Sequence, residues 1–250
     1  MTTARPPLRH LLLPVLRALV LCCAVGGGAA AMAANLQISP VLINFAAAQN
    51  TAGVSLMNLG DQPLFGQVRV YLWDQQNGED VLTPTQEVVA SPPLVQIAAR
   101  GSQTIRLVRT GAHDGAAEHT YRVLIDEVAR DDGPAVSGVD IRLRYSVPVF
   151  IAGTNPAAQE QLSWVVSRKD GAWMMRVSNA GQKHAQIGTL VLANRAGKEF
   201  TISSGLFGYV LPGRNREWRL PVDKDADLGG VLAIKASVNG KAVTASNTVP

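Results

Sequence analysis

Residues 139–150 read VDIRLRYSVPVF. Val139, Ile141, Leu143, Tyr145, Val147 and Val149 fall on one parity; Asp140, Arg142, Arg144, Ser146 and Pro148 fall on the other. Period two is the spacing of a strand whose successive side chains point to opposite faces. Proline has no N–H to give to a ladder, so Pro148 puts this strand at a sheet edge. Soluble proteins normally avoid a long, regular edge with an apolar parity, because it templates pairing with another chain. Two readings stay open: an ordinary sandwich strand with its apolar side in its own core, or an edge left for a partner strand.

Outward from this stretch the same spacing recurs. Residues 121–128 (YRVLIDEV), 102–108, 65–73 and 53–59 alternate or carry short apolar runs, and residues 36–45 form a first strand in which Pro40 marks an edge or a change of sheet. Asn77-Gly78, Arg100-Gly101 and the charged, Gly/Pro-containing residues 130–138 separate them as turns and loops. Short strands with frequent turns predict an immunoglobulin-like sandwich. Residues 152–158 (AGTNPAA) read as a linker, after which the pattern restarts over residues 159–250. The predicted fold is all-β: two immunoglobulin-like β-sandwich domains at an angle, residues 34–151 and 159–250.

The first 33 residues read differently. Arg5, Arg9 and Arg17 accompany a leucine- and valine-rich run over 11–25, and Ala31-Met32-Ala33 closes it. A basic start, a short apolar segment and an A-x-A site describe a secretory signal peptide over residues 1–33, cut after Ala33 or else Ala34. Three of the 23 lysines and arginines and none of the 19 acids go with it, taking the formal net charge from +4 to +1. The basic balance is therefore poor support for nucleic-acid binding. Cys22 and Cys23 go too, so the mature chain has no thiol and is held together by packing alone. Leu21 is too bulky for the usual lipid-attachment site before Cys22.

Catalytic machinery is not visible. Past the leader the histidines are His113, His119 and His184, none in H-E-x-x-H spacing, and no G-x-S-x-G elbow or glycine-rich phosphate loop occurs. Asp126 and Glu127 are neighbours on a strand and face opposite ways, so they cannot easily share a proton. No enzyme, metal or cofactor is expected. Arg106, Arg142 and Arg144 lie on strands beside apolar parities; they are either solvent-face residues with packed stems or bidentate carboxylate grips.

Three motifs in order carry a resemblance. Ser91-Pro92-Pro93-Leu94, Arg100-Gly101 and Ile105-Arg106-Leu107 form the first, YRVLIDEV the second, and residues 139–150 the third. Together they resemble the PapD-like periplasmic chaperones of the chaperone–usher pathway; RYSVPVF with Trp73 and SPPL is most similar to the archaic, spore-coat-like branch. The resemblance implies a periplasmic chaperone that completes an unfinished pilus subunit by donating its last strand, without ATP, and delivers it to an outer-membrane usher. The implied donor residues are Val139, Ile141, Leu143 and Tyr145. Burying each is worth roughly 1.5–3 kcal/mol, against association costs of similar size for the set. When free, such an edge invites capping by a second copy. The other reading is a secreted structural or adhesive β-sandwich protein, a pilin or adhesin; a complete first domain that begins directly in a strand speaks against it.

The match departs at the site where the family grips the subunit's terminal carboxylate. Its arginine and lysine positions hold Leu42 and Pro148 here. Arg106, Arg144 and, less directly, Arg142 are the candidate replacements. Glu127 and Asp227 match the family's interdomain acids, whose central arginine falls on Ala152.

Overall fold

The computed structural model describes residues 36–111, 115–128 and 142–249. The expected leader, His113, Val139 and Ile141 lie outside these residues. Residues 36–151 form β1 (Leu36–Ser39), β2 (Ile43–Phe45), β3 (Thr51–Asn58), β4 (Leu64–Gln76), β5 (Glu79–Pro84), β6 (Val88–Ser91), β7 (Leu94–Ile97), β8 (Ser102–Arg109), β9 (His119–Glu127) and β10 (Arg144–Ile151). One sheet runs β1-β3-β8-β6; the other runs β2-β10-β9-β4-β5, with β7 also paired to β4. Their facing sides share one core, with Leu56, Ile105 and Leu107 from the first sheet and Tyr121, Val123, Ile125, Val147 and Val149 from the second. Fully burying an aliphatic or aromatic side chain contributes roughly 1.5–3 kcal/mol, and this replaces the stapling that a cysteine-free domain lacks.

Two expected strands differ in extent. Residues 36–45 are two strands: the chain changes sheet at Pro40, so β1 pairs antiparallel with β3 while β2 lies parallel to the end of β10. The final strand opens at Arg144. Its odd residues Val147, Val149 and Ile151 sit in the sandwich's own core, with Tyr145 half-buried against it.

The second sandwich comprises β11 (Leu162–Lys169), β12 (Ala172–Asn179), β13 (Ala185–Ala193), β14 (Glu199–Ser203), β15 (Gly208–Val210), β16 (Asn215–Arg219), β17 (Gly230–Val238) and β18 (Lys241–Val249). Its sheets run β11-β12-β16 and β14-β13-β17-β18, with β15 also on β13. Met175, Val177, Ile187, Leu190, Leu192 and Leu232 fill the space between them. Residues 159–161 lie directly on Gly181, where a Cβ would stand 2.1 Å from the Gln159 carbonyl oxygen; only glycine leaves room for that crossing.

Candidate functional site

The site is the outer edge of β10. The Glu127 N–H donates to the Leu143 carbonyl at 3.1 Å, and β10 pairs with β9 in the register Arg144↔Asp126 through Ile151↔His119. Hydrogen-bonded and non-hydrogen-bonded pairs alternate in an antiparallel ladder. Leu143, Tyr145, Val147 and Val149 therefore turn their backbone groups toward β9, and Arg144, Ser146, Pro148 and Phe150 turn theirs outward. β2 takes up only the last part of that outer edge, Val149–Ile151. Among the described residues nothing pairs with it from Arg144 to Pro148. Pro148 stands where its missing N–H costs the native sheet no bond, and where an incoming strand would meet β2.

The face of this sheet turned from the core carries the cations. Asp126 is gripped by Arg144 and by Arg69. Burial pushes the Asp126 carboxyl up, but the hydrogen bonds from Arg144 and Arg69 outweigh it and hold the group below the ordinary aspartate value. Arg144 keeps about two-thirds of its side chain in solvent (62%), and its terminal NH₂ groups donate to no described residue. Arg106 lies on β8, in the other sheet, opposite Gly53 and Ser91. The three candidate arginines thus do not converge: Arg142 and Arg144 flank the edge, and Arg106 is across the core.

A fourth cation stands closer to the closed end of the edge. Arg122 on β9 is cross-strand from Pro148 on one side and from Tyr71 on the other. Its guanidinium lies 3.7 Å from the Trp73 ring centroid and 5.4 Å from that of Tyr209. Burial pushes it below the ordinary arginine value, against the pull of Asp80 and Tyr209. No described carboxylate is within ion-pair distance of it. Sequence reading missed Arg122 because it occupies the polar parity of YRVLIDEV and resembles any solvent-facing residue; only the register sets it beside Pro148.

Trp73, Phe150, Tyr209 and Leu211 form an apolar cluster between the two sandwiches, and Leu42 packs against it. Phe150 also stacks on His184 with centroids 3.5 Å apart, and His184 Nδ1 lies 2.6 Å from Glu118 Oε2. Gln75, 3% exposed, donates to the Tyr209 carbonyl at 2.9 Å and accepts from the Leu211 N–H at 3.0 Å. The turn Asn77-Gly78 of the β4–β5 hairpin reaches β16: the Glu217 N–H donates to Gly78 O, and Arg216 pairs with Glu79 at 2.7 Å and Asp80 at 3.3 Å. Arg214 pairs with Asp74.

Glu127 and Asp227, the acids expected between the sandwiches, make none of these contacts. Glu127 accepts from Tyr145 Oη at 3.4 Å and Leu143 N at 3.5 Å, within the first sandwich, and Tyr145 is pushed up to about 12 by its burial and by Glu127. Asp227 accepts from Asn194 Nδ2 within the second. Sequence did not reveal the acids that do bridge because they lie in a hairpin tip (Asp74, Glu79, Asp80) and a loop (Glu118). Among the described residues no group of His, Cys, Asp and Glu is placed to hold a metal ion.

One pH effect follows. Burial raises the Asp74 carboxyl, and the Arg214 hydrogen bond with help from Gln75 and Gln76 outweighs it, so the folded value lies below the ordinary one. Its stabilisation is then complete above about pH 4, the unfolded aspartate value, and is lost as pH falls through the lower folded value. In acid titrations of thermal stability, Asp74→Asn is expected to match the parent at the lowest pH, to fall below it as pH rises from the folded value towards about 4, and to stay below it by a constant gap at higher pH. Parallel curves would remove this ion pair from the account.

Residues 35–157 match the family model for the PapD N-terminal domain, described as a pili and flagellar-assembly chaperone. No curated protein sequence matches the chain. The fold is similar to that in the CsuC–CsuE chaperone–tip adhesion subunit pre-assembly complex from the archaic chaperone–usher Csu pili of Acinetobacter baumannii. The TM-score is 0.67 at 23% identity, over 87% of this chain and 100% of that one. The E. coli chaperone DraB gives 0.58 at 18% identity, over 86% and 96%. The Salmonella enterica SafB chaperone, solved with the SafA pilin, gives 0.58 at 17%, over 84% and 94%. At these identities the shared property is the two-sandwich fold.

Proposed function

This chain belongs, through residues 35–157, to the PapD-type pilus-assembly chaperones, and on that premise we propose that it holds pilus subunits in the periplasm by pairing the outer edge of β10 with a subunit's unfinished sheet. The observation that carries this is the edge itself: outward backbone groups at Arg144, Ser146 and Pro148 with no described partner, closed by β2 at Val149. Ladder bonds fix the register of an added strand, and alternate side chains fix its identity. Residues 34–151 act as the docking domain, residues 152–158 as the linker, and residues 159–250 as the domain that walls the closed end. Export by the leader brings the chain to the periplasm, where the loaded complex passes to an outer-membrane usher. Without a guest, the same edge is open to a second copy.

Arg122 is the terminal-carboxylate anchor of this reading. The family's two gripping positions hold a hydrocarbon and an imino acid, whereas Arg122 lies one strand further in, beside Pro148, with no carboxylate of its own. Arg144 is partly neutralised by Asp126 and so is the weaker receptor. Co-export with a pilin that is degraded alone should yield a one-to-one complex; a pilin equally unstable with and without this chain would sink the proposal. For the anchor, the probe is a short peptide of alternating valine and threonine. With a free C-terminus it should bind roughly tenfold to a hundredfold tighter than its amide, the range of a charged hydrogen bond. Arg122→Gln should erase that difference, and its persistence would move the anchor elsewhere.

A further inference from the structure

We infer that the guest strand carries an acidic side chain beside Arg144, at the residue four positions before the one that ends next to Pro148. This rests on the docking reading above and names a feature of the guest. β2 closes the edge at Val149, so a guest strand ends there. Arg122, the cation without a carboxylate, stands at that end, so the terminus that arrives is the carboxylate one. The guest then runs parallel to β10, and its residues line up with Pro148, Ser146 and Arg144 in turn, every second one on the same face. From Pro148 back to Arg144 is about 13 Å along a strand.

At that level the outer face holds a groove of about 380 Å³ rimmed by Arg69, Asp126, Glu127, Arg142 and Arg144. Three guanidiniums face two carboxylates. Asp126 is already saturated by Arg69 and by Arg144 Nε, and the remaining donors of the Arg144 fork meet no described acceptor. Arg142 has a partner of its own and contributes field rather than a free hand. A carboxylate on the guest completes the second side of Arg144, and a lysine there meets its charge head-on.

The test uses free-carboxylate valine/threonine peptides with Asp, Thr or Lys at the fifth residue from the end, with binding read by fluorescence anisotropy. An exposed pair is worth up to about fivefold, so Asp should bind about tenfold tighter than Lys with Thr between. High salt should narrow the spread. Arg144→Glu should invert the order, and Arg144→Gln, which introduces no new charge, should flatten it. Equal binding of Asp and Lys, or an order that survives both substitutions, overturns the acidic guest while leaving strand docking intact. Failure of every peptide to bind overturns docking, and the acidic guest with it.

Discussion

Ser146→Pro is expected to abolish strand capture while leaving the fold nearly as stable as the parent. Ser146 turns its N–H away from β9, so proline there removes no bond of the native ladder. Tyr145, already extended, tolerates a following proline, and edge strands accept the residue. The guest, however, loses a donor at the middle of the open segment, and the ring stands against it. One orphaned carbonyl lowers affinity by about fivefold to a hundredfold, and the clash of the ring with the guest adds to that. Val147→Pro is the opposing control. It removes a bond to Val123 inside the sheet and leaves a gap in the core, and should cost about 3 kcal/mol or more of stability. Denaturant unfolding and peptide binding, measured on both, separate the edge from the core. Unchanged binding by Ser146→Pro would mean that guests do not pair at this edge.

Gln75→Leu should uncouple the two sandwiches. The side chain is buried and acts as an extra ladder residue, taking the Leu211 N–H and serving the Tyr209 carbonyl. Leucine fills similar space and leaves both backbone groups dry and unpaired, at about 1–3 kcal/mol each. The aromatic cluster around Trp73 shares that contact, so the loss falls on the interface and not on either core. Calorimetry is expected to change from a single transition to two, with protease cutting gained within residues 152–158. Arg216→Ala, whose partners Glu79 and Asp80 are more exposed, should do less. One undivided transition in Gln75→Leu would show that packing alone couples the halves.

Periodicity made much of the fold legible. The parity of VDIRLRYSVPVF places Val147 and Val149 in the sandwich core and Arg144 and Ser146 on the other face, and Pro148 does mark an edge; what parity does not show is that Pro148 and Phe150, on that other face, are buried, Phe150 in the cluster beside the second sandwich. Pro40 does mark a change of sheet. What periodicity cannot supply is which strands are neighbours. Asp126 and Arg144 are eighteen positions apart in sequence, and their pairing emerges only from the β9–β10 register. Arg122 looked like any polar-parity residue until Pro148, Trp73 and Tyr209 surrounded it. The hairpin turn at Asn77-Gly78 was readable, yet β4 runs to Gln76, laddered to β5 as far as Glu79, while the side chains of Asp74 and Gln75 find partners on the second sandwich. Of the expected donor residues, Leu143 and Tyr145 fall at the start of the open edge, and Val139 and Ile141 lie outside the described residues.

Pro148 also bears on what happens when the molecule meets its twin. A two-fold pairing centred on Ser146 sets each Arg144 opposite the other copy's Pro148, so one carbonyl on either side of the axis goes unanswered. Sliding the axis to Arg144 instead brings like guanidiniums face to face, which is unfavourable. A parallel stranger encounters the imino acid once, a two-fold-related sibling twice. On the docking reading, a single ring would thereby bias an adhesive border against self-recognition and make a two-fold dimer the weaker competitor of a parallel guest.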